Sequence, residues 1–497
     1  MSVTVTKKNE VYLKIHAEPG IMLELNDIFT FAVPGAQFTP AFRHKQWDGK
    51  IRLLNVHGGE LYIGLLPYVR AYCEKNNEEF IDEVSSQVRI PEQVLDGFID
   101  ELAFHSKGEP IAIRNYQRQA VYDALLNEKN LLLSPTASGK SLIIYTLMRW
   151  HLQEGRKQLI IVPTTSLVEQ MYKDFADYAS ETDWGVAEHC TRIYAGKPKE
   201  DRPVTISTWQ SLYKLPASYF QDFEVVFGDE AHQFKAKSLT AIMTKLVHAK
   251  YRLGTTGTLD GAKTHRMVLE GLFGEVNKVV TTRELMDANQ LADLKIMCIQ
   301  LIYPDEEKKA VKKFTYQEEI DWIIAHPRRN KFIRNLVVDQ TGNTLMLFNY
   351  VEKHGKVLYE MIQEKVPEDR KVFFVHGGVL ANDREEIREI TETETNAIIV
   401  ASLGTFSTGI NIRNLHNIVF ASPTKSRIRN LQSIGRGLRV GEQKTVCKLY
   451  DIGDNLSWKS HKNYTLNHMI ERIKIYNEEL FQYKMISVNL PKAKEVT

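Results

Sequence analysis

The chain has 497 residues, room for about three domains at ~150 residues each, and its 43% hydrophobic and 25% charged residues suit a globular protein with full cores. A formal net charge of +2 excludes global basicity as the basis of polyanion binding, so any phosphate contacts must come from local patches. The four cysteines, Cys73, Cys190, Cys298 and Cys447, form no CxxC pair, which argues against a zinc site or a disulfide framework. No apolar run approaches the ~20 residues of a membrane span and the N-terminus lacks a signal-peptide core, so a cytoplasmic protein is expected.

Residues 1–105 read as a small α+β module, with alternating strands such as Val11–Ile15 and Lys50–Leu54 broken by Pro and Gly turns. From 106 to 285 the pattern changes to short apolar strands, at Leu131–Leu133, Gln158–Val162, Val204–Ile206 and Val225–Phe227, separated by amphipathic helices such as Ser141–His151 and Ser166–Tyr178. That alternation predicts an α/β domain with a parallel sheet and its chemistry at the carboxyl ends of the strands. A second such series occupies 286–497, with strands near Thr344–Phe348, Val372–Val375, Ala397–Val400 and Ile418–Phe420, and a tail from Ser460 to Met485 that reads as helical.

In the first module, the segment Phe38 to Arg52 interleaves aromatics with cations. Arg43, Lys45, Lys50 and Arg52 could pair with phosphates while Trp47 stacks or wedges at a junction. The competing reading is that Phe38, Phe42 and Trp47 fill a small core and the cations form a solvated face.

Strand Leu131–Leu133 runs into Ser134-Pro135-Thr136-Ala137-Ser138-Gly139-Lys140-Ser141, followed by an apolar helix pattern. This is the setting of a phosphate-binding loop: backbone N–H groups face the phosphates, Lys140 neutralises the β and γ oxygens, and the Ser141 hydroxyl ligates Mg²⁺. Ser134 stands where the usual GxxxxGK[ST] pattern has its first glycine. Further on, Asp229-Glu230-Ala231-His232 ends an apolar strand. Phosphoryl transfer to water needs one carboxylate for the metal, which suits Asp229, and one to position the attacking water, which suits Glu230.

Lys140-Ser141 followed by Asp-Glu-Ala-His resembles motifs I and II of the superfamily 2 helicases of DEAH type, and further motifs follow in the right order. Arg114-Asn-Tyr-Gln117 resembles the segment that contacts adenine, and Pro163-Thr-Thr165 and Thr208-Trp-Gln210 the strand-contacting elements. Leu253–Thr258 resembles motif III, Ser402–Asn411, with Thr405 and Gly409, motif V, and Gln432–Arg439 motif VI. The resemblance implies two RecA-like domains with ATP between them. Arg114, Gln117, the loop Ser134–Ser141 and Gly409 are then nucleotide-binding, and Gln432, Arg436 and Arg439 reach the γ-phosphate, Arg439 as the finger. Strand contacts are implied at Thr165, Thr208, Gln210 and Thr405, mostly to phosphates.

Over nearly the whole chain, phrases such as Phe42–Leu53, Pro135–Ser141, Phe273–Thr282 and Thr315–Glu319 resemble the UvsW helicases of T4-like phages. That family implies ATP- and Mg²⁺-dependent unwinding and branch migration of branched or single-stranded DNA: Holliday junctions, stalled forks and R-loops with their RNA–DNA hybrids. It implies phage recombination, repair and replication control in the host cytoplasm, with recombination or single-strand-binding proteins as partners. The rival readings are an RNA helicase, a duplex translocase without strand separation, and an ATP-gated binding module, the last disfavoured by the complete Lys140, Asp229, Glu230 and Arg439 set.

Overall fold

A computed structural model describes residues 2–492 apart from 34, 86–88, 195–199, 260, 406–411, 413, 423, 425 and 439–445. The chain forms two compact units, one of Met1–Ser134 with Gly139–Val280 and one of Pro135–Ser138 with Thr281–Thr497.

The first unit opens with strands β1 (Ser2–Lys7), β2 (Tyr12–His16), β3 (Thr30–Ala32), β4 (Lys50–Arg52), β5 (Glu60–Tyr62) and β6 (Glu79–Asp82). Every second residue of β1 and β2 is apolar, so Val3, Val5, Leu13 and Ile15 all point into one core. The helices Pro19–Ile28 and Leu66–Asn76 close that core with Ile21, Met22, Leu25, Val69 and Tyr72. The sheet runs β5-β2-β1-β6, whereas β3 and β4 pair apart from it as a two-stranded ribbon. Two further short strands, β7 (His105–Ser106) and β8 (Glu109–Pro110), form a second ribbon.

Next come β9 (Lys129–Leu133), β10 (Gln158–Val162), β11 (Cys190–Ile193), β12 (Val204–Thr208), β13 (Val225–Asp229), β14 (Tyr251–Thr256) and β15 (Val276–Lys278). They form one parallel seven-stranded sheet in the order β11-β12-β10-β13-β14-β9-β15. Its inner strands are largely buried because helices cover both faces, giving one core on each side. The order matters for chemistry: β13, β14 and β9 are neighbours, so the segments leaving their carboxyl ends must meet.

The N-terminal module is fused to this sheet's flank. Met267, on the helix Lys263–Phe273, belongs to the module's core, and Leu53 and Tyr62 pack against the cores of both. Backbones touch where Gly64 meets Gly271: a Cβ at Gly64 would collide with the Glu270 carbonyl, and one at Gly271 would lie 2.9 Å from Tyr62 Cβ. The Tyr68 hydroxyl donates to Glu270 at 2.6 Å, and Lys129 reaches Glu10 at 3.1 Å.

The second unit contains β16 (Asp293–Ile302), β17 (Thr344–Phe348), β18 (Val372–Val375), β19 (Ile398–Ser402), β20 (Asn417–Phe420), β21 (Val446–Asn455) and β22 (Tyr483–Asn489). They too are parallel, in the order β18-β19-β17-β20-β21-β16-β22. Buried ion pairs tie its helices to the sheet: Arg329 to Asp454 at 2.7 Å, and Arg472 to Asp451 at 2.6 Å.

The tail departs from the helical expectation. The helix Tyr464–Glu478 stops at Leu480, whose φ of 57° is left-handed, with Phe481 N–H donating back to Tyr476 at 2.8 Å. Tyr483–Met485 is then the start of an edge strand parallel to β16, where its backbone pairs with the groups along that strand.

Candidate nucleotide site and nucleic-acid surface

The nucleotide site follows from the strand order of the first parallel sheet. Ser134 leaves β9, and its N–H donates to Thr256 O at the end of β14 at 2.9 Å. Asp229, the last residue of β13, pairs in register with Thr255 of β14, whose hydroxyl donates to Asp229 Oδ1 at 2.9 Å. The loop between Ser134 and the helix Lys140–Gln153 contains two left-handed residues, Ala137 at φ 67° and Gly139 at φ 79°. Such a turn points successive N–H groups inward, ahead of a helix N-terminus. Ser138 Oγ steadies the turn by donating to Pro135 O at 2.7 Å.

Gly139 is required for a second reason: a Cβ there would collide with Gln117 Nε2. Gln117 is buried, and its Oε1 accepts the Arg114 N–H at 2.9 Å, so this glutamine braces the loop from below. Arg114 itself is half-buried and donates to the Tyr116 hydroxyl at 2.9 Å. Lys140 Nζ donates to Ser134 O at 3.2 Å, and Ser141 Oγ lies 2.8 Å from the Tyr178 hydroxyl.

Burial and the negative charge of Glu230 push the Asp229 carboxyl above its ordinary range, while Lys140 and the Thr255 hydroxyl pull it down. A carboxylate so placed is short of positive charge, which a divalent cation would supply. Glu230 is itself left-handed at φ 51°, a conformation a non-glycine residue holds only when its surroundings dictate it. His232 Nδ1 lies 3.3 Å from Glu230 Oε2 and 3.1 Å from Thr256 Oγ1, and Thr256 Oγ1 in turn donates to Thr258 O at 3.0 Å. Thr255 and Thr256 lie in the segment that resembles motif III and His232 in the one that resembles motif II, but the sequence assigns none of the three a role of its own. Their contacts follow from the pairing of β13 with β14, which spacing along the chain does not reveal.

The expected strand-contacting residues fall into two groups. Thr165, at the first turn of the helix Thr165–Tyr178, and Gln210 are exposed. Thr208 and Thr405 are buried, their hydroxyls bonded to Ser211 at 3.0 Å and Ser402 at 2.7 Å. In the second unit, Gln432 is half-buried on the helix Arg427–Gly437. The Arg436 side chain, Arg439 and Gly409 lie outside the described residues.

On the N-terminal module, Arg43, Lys45, Lys50 and Arg52 are exposed on the β3–β4 ribbon and its connecting loop. Trp47 is half-buried, and its indole N–H donates to Lys50 O at 2.8 Å. Arg52 is ion-paired with Asp48.

A phosphate-binding loop and an Asp-Glu pair at the ends of two strands that flank β14 in one parallel sheet, with a second parallel sheet following in the chain, define a helicase core of two RecA-like domains. The family models that match are the res subunit of type III restriction enzymes over residues 110–261, the helicase conserved C-terminal domain over 328–441, and the N-terminal domain of the DNA helicase UvsW over 3–82. The chain is 36% identical to the ATP-dependent DNA helicase uvsW of Enterobacteria phage T4, across 99% of this chain and 100% of the phage protein. The crystal structure of T4 UvsW superposes with a TM-score of 0.53 at 34% identity, covering 99% of this chain and 100% of that one. A DNA 3'-5' translocase XPB2 of Sulfurisphaera tokodaii is 22% identical over 71% of this chain and 84% of its own. The chain belongs to the UvsW family of ATP-dependent DNA helicases. No helix among the described residues is long and apolar enough to cross a membrane.

Proposed function

We propose that this helicase acts on branched DNA, migrating junctions and unwinding forks and R-loops, with Mg²⁺ as the metal of its ATP site. The observation that carries the reading is that the strands preceding the Ser134–Ser141 loop, Asp229 and Thr255 are neighbours in one parallel sheet, and the N-terminal module with its cationic ribbon packs against the same sheet's domain. A motor whose substrate-reading module packs on its ATP-binding domain can turn a change at the phosphate into a displacement of the strand junction. Branch migration also suits a modest motor, since pairs broken on one arm re-form on another and ATP mainly sets direction.

In this reading the loop N–H groups and Lys140 hold the phosphates, and Arg114 and Gln117 border the base. The donor set fits a hard cation: the Ser141 hydroxyl and the Asp229 carboxylate offer oxygen ligands, and they would share the metal with phosphate oxygens. The cation supplies charge neutralisation on the β and γ oxygens when bound. Glu230 orients the attacking water and accepts its proton, and the His232–Thr256–Thr258 chain connects that carboxylate to the segment after β14. Gln432, Arg436 and Arg439 are assigned to the γ-phosphate, and Gly409 to the nucleotide, on motif resemblance. Thr165 and Gln210 are assigned to the strand backbone, with Thr208 and Thr405 shaping the loops beside it. The working division is 1–105 for substrate binding, 106–285 for the ATP-binding domain and 286–497 for the C-terminal domain. Host cytoplasm and phage recombination or single-strand-binding proteins are the setting this substrate class suggests.

The test is steady-state ATP hydrolysis with no DNA, linear duplex, single strand and a four-way junction. Stimulation by the junction at least equal to that by single strand, and well above duplex, is expected. Equal rates with and without DNA, or stimulation by duplex alone, would overturn the assignment and favour a duplex translocase.

A further inference from the structure

Ser141 and Tyr145 lie four residues apart on the helix Lys140–Gln153, so their side chains leave the same face one turn apart. The end of the helix Thr165–Tyr178 covers that face: Phe175 and Tyr178 place their rings 5.4 and 5.5 Å from the ring of Tyr145. Phe104 and Trp184 meet the Tyr145 ring edge-on, and Arg149 Nη1 donates to its hydroxyl at 2.5 Å. Aromatic packing therefore decides where the Tyr178 ring sits, independently of the nucleotide loop.

That packing has no use for the Tyr178 hydroxyl, yet the hydroxyl is held 2.8 Å from Ser141 Oγ. Among the described residues neither oxygen makes another hydrogen bond. Burial, with the charge of Asp174 nearby, pushes the Tyr178 phenol up to about 12, so it stays a neutral hydroxyl through the physiological range. A serine hydroxyl has one proton and two lone pairs, and one that offers a lone pair to a cation still needs a partner for its proton. The partner that takes this proton orients the ligand, which is how residues behind a metal site tune its affinity.

We infer that Tyr178 is a positioning residue for the metal of the ATP site: its hydroxyl accepts the Ser141 hydrogen bond and leaves a serine lone pair for the cation. This rests on the reading that Ser141 and Asp229 hold Mg²⁺ beside the nucleotide. Tyr178 stands 37 residues beyond Ser141 and outside every segment with motif resemblance, so no pattern along the chain points to it.

The test uses the full chain loaded with ADP, with Mn²⁺ as the metal probe and its electron paramagnetic resonance signal reporting bound against free ion. Nucleotide affinity is measured separately in EDTA with a fluorescent ADP analogue, and thermal unfolding checks the fold. Tyr178→Phe keeps the ring and removes only the hydroxyl. It should weaken Mn²⁺ binding to the ADP complex by about tenfold and leave metal-free ADP affinity unchanged. Ser141→Ala should weaken Mn²⁺ binding at least as much, and adding Tyr178→Phe to it should weaken binding no further, because the tyrosine acts through the serine. Tyr172→Phe, a half-buried tyrosine of the same helix whose ring lies under Arg192, should match wild type. If the wild-type ADP complex takes up no Mn²⁺, the metal reading fails and this inference with it. If it does, and Tyr178→Phe binds Mn²⁺ as tightly, the metal reading stands and the positioning role is refuted. An equal loss of metal-free ADP affinity, or a further loss on the Ser141→Ala background, would show that the tyrosine shapes the loop as a whole, and would refute the role as well.

Discussion

Replacing Gly139 with Ala should damage nucleotide binding through two separable costs. The backbone there is left-handed at φ 79°, which a residue with a Cβ adopts at a cost of ~1–2 kcal/mol. The new methyl also meets Gln117 Nε2, and that side chain cannot swing away while buried with its Oε1 held by the Arg114 N–H at 2.9 Å. Overpacking of this kind costs ~1–3 kcal/mol. Without nucleotide the loop can relax, so the sum, about 3 kcal/mol, falls on ATP affinity as about a hundredfold loss and spares global stability. In a Gln117→Ala background the collision is gone, and Gly139→Ala should cost only about tenfold. The assay is titration with a fluorescent ATP analogue across the four proteins of the double-mutant cycle, with thermal unfolding as the fold control. A cost below threefold for Gly139→Ala, or equal costs in both backgrounds to within ~0.5 kcal/mol, would refute the argument.

Acid should destabilise the chain through two buried histidines. Burial, with Arg156 beside His151 and Arg329 beside His354, lowers both to about 3. Their unfolded value is near 6.5, so the folded and unfolded states bind equal protons above pH 7, and as pH falls below ~6.5 only the unfolded chain takes them up. By pH 5 each histidine should cost about 2 kcal/mol of stability, and His354→Gln should flatten the fall in unfolding midpoint between pH 7 and pH 5; an unchanged pH profile would contradict this. Arg329→Met strands the fully buried Asp454, which also accepts from the Tyr303 hydroxyl at 2.8 Å, and should destabilise the second unit by ~3–5 kcal/mol in denaturant unfolding. Arg329→Met with Asp454→Leu should recover most of that loss, and no recovery would show that the arginine acts through something other than the pair.

The parts legible in the sequence were those governed by local pattern. Gln158–Val162, Thr344–Phe348 and Val372–Val375 are strands at the expected residues because short apolar runs between amphipathic helices leave a buried parallel strand as the consistent choice. The nucleotide loop was legible because Gly139-Lys140-Ser141 follows an apolar strand and opens a helix. What depends on neighbours across a sheet was not. The bond from Thr255 to Asp229 and the His232–Thr256 contact exist because β14 lies beside β13. The tail strand Tyr483–Asn489 exists because β16 has a free edge, and its own residues do not demand it. The ribbon is the sharpest case. Aromatics alternating with cations fit a core or a surface equally well along the chain, and only folding separates a half-buried Trp47 from an exposed Phe38.

Conversion of a labelled four-way junction to its duplex products by the purified protein with ATP and Mg²⁺ tests the branched-substrate assignment most directly. Wild type should resolve the junction, a non-hydrolysable ATP analogue should not support it, and Lys140→Ala should abolish both turnover and resolution. Junctions left intact by a wild-type protein that hydrolyses ATP in the presence of DNA would contradict the branched-substrate assignment.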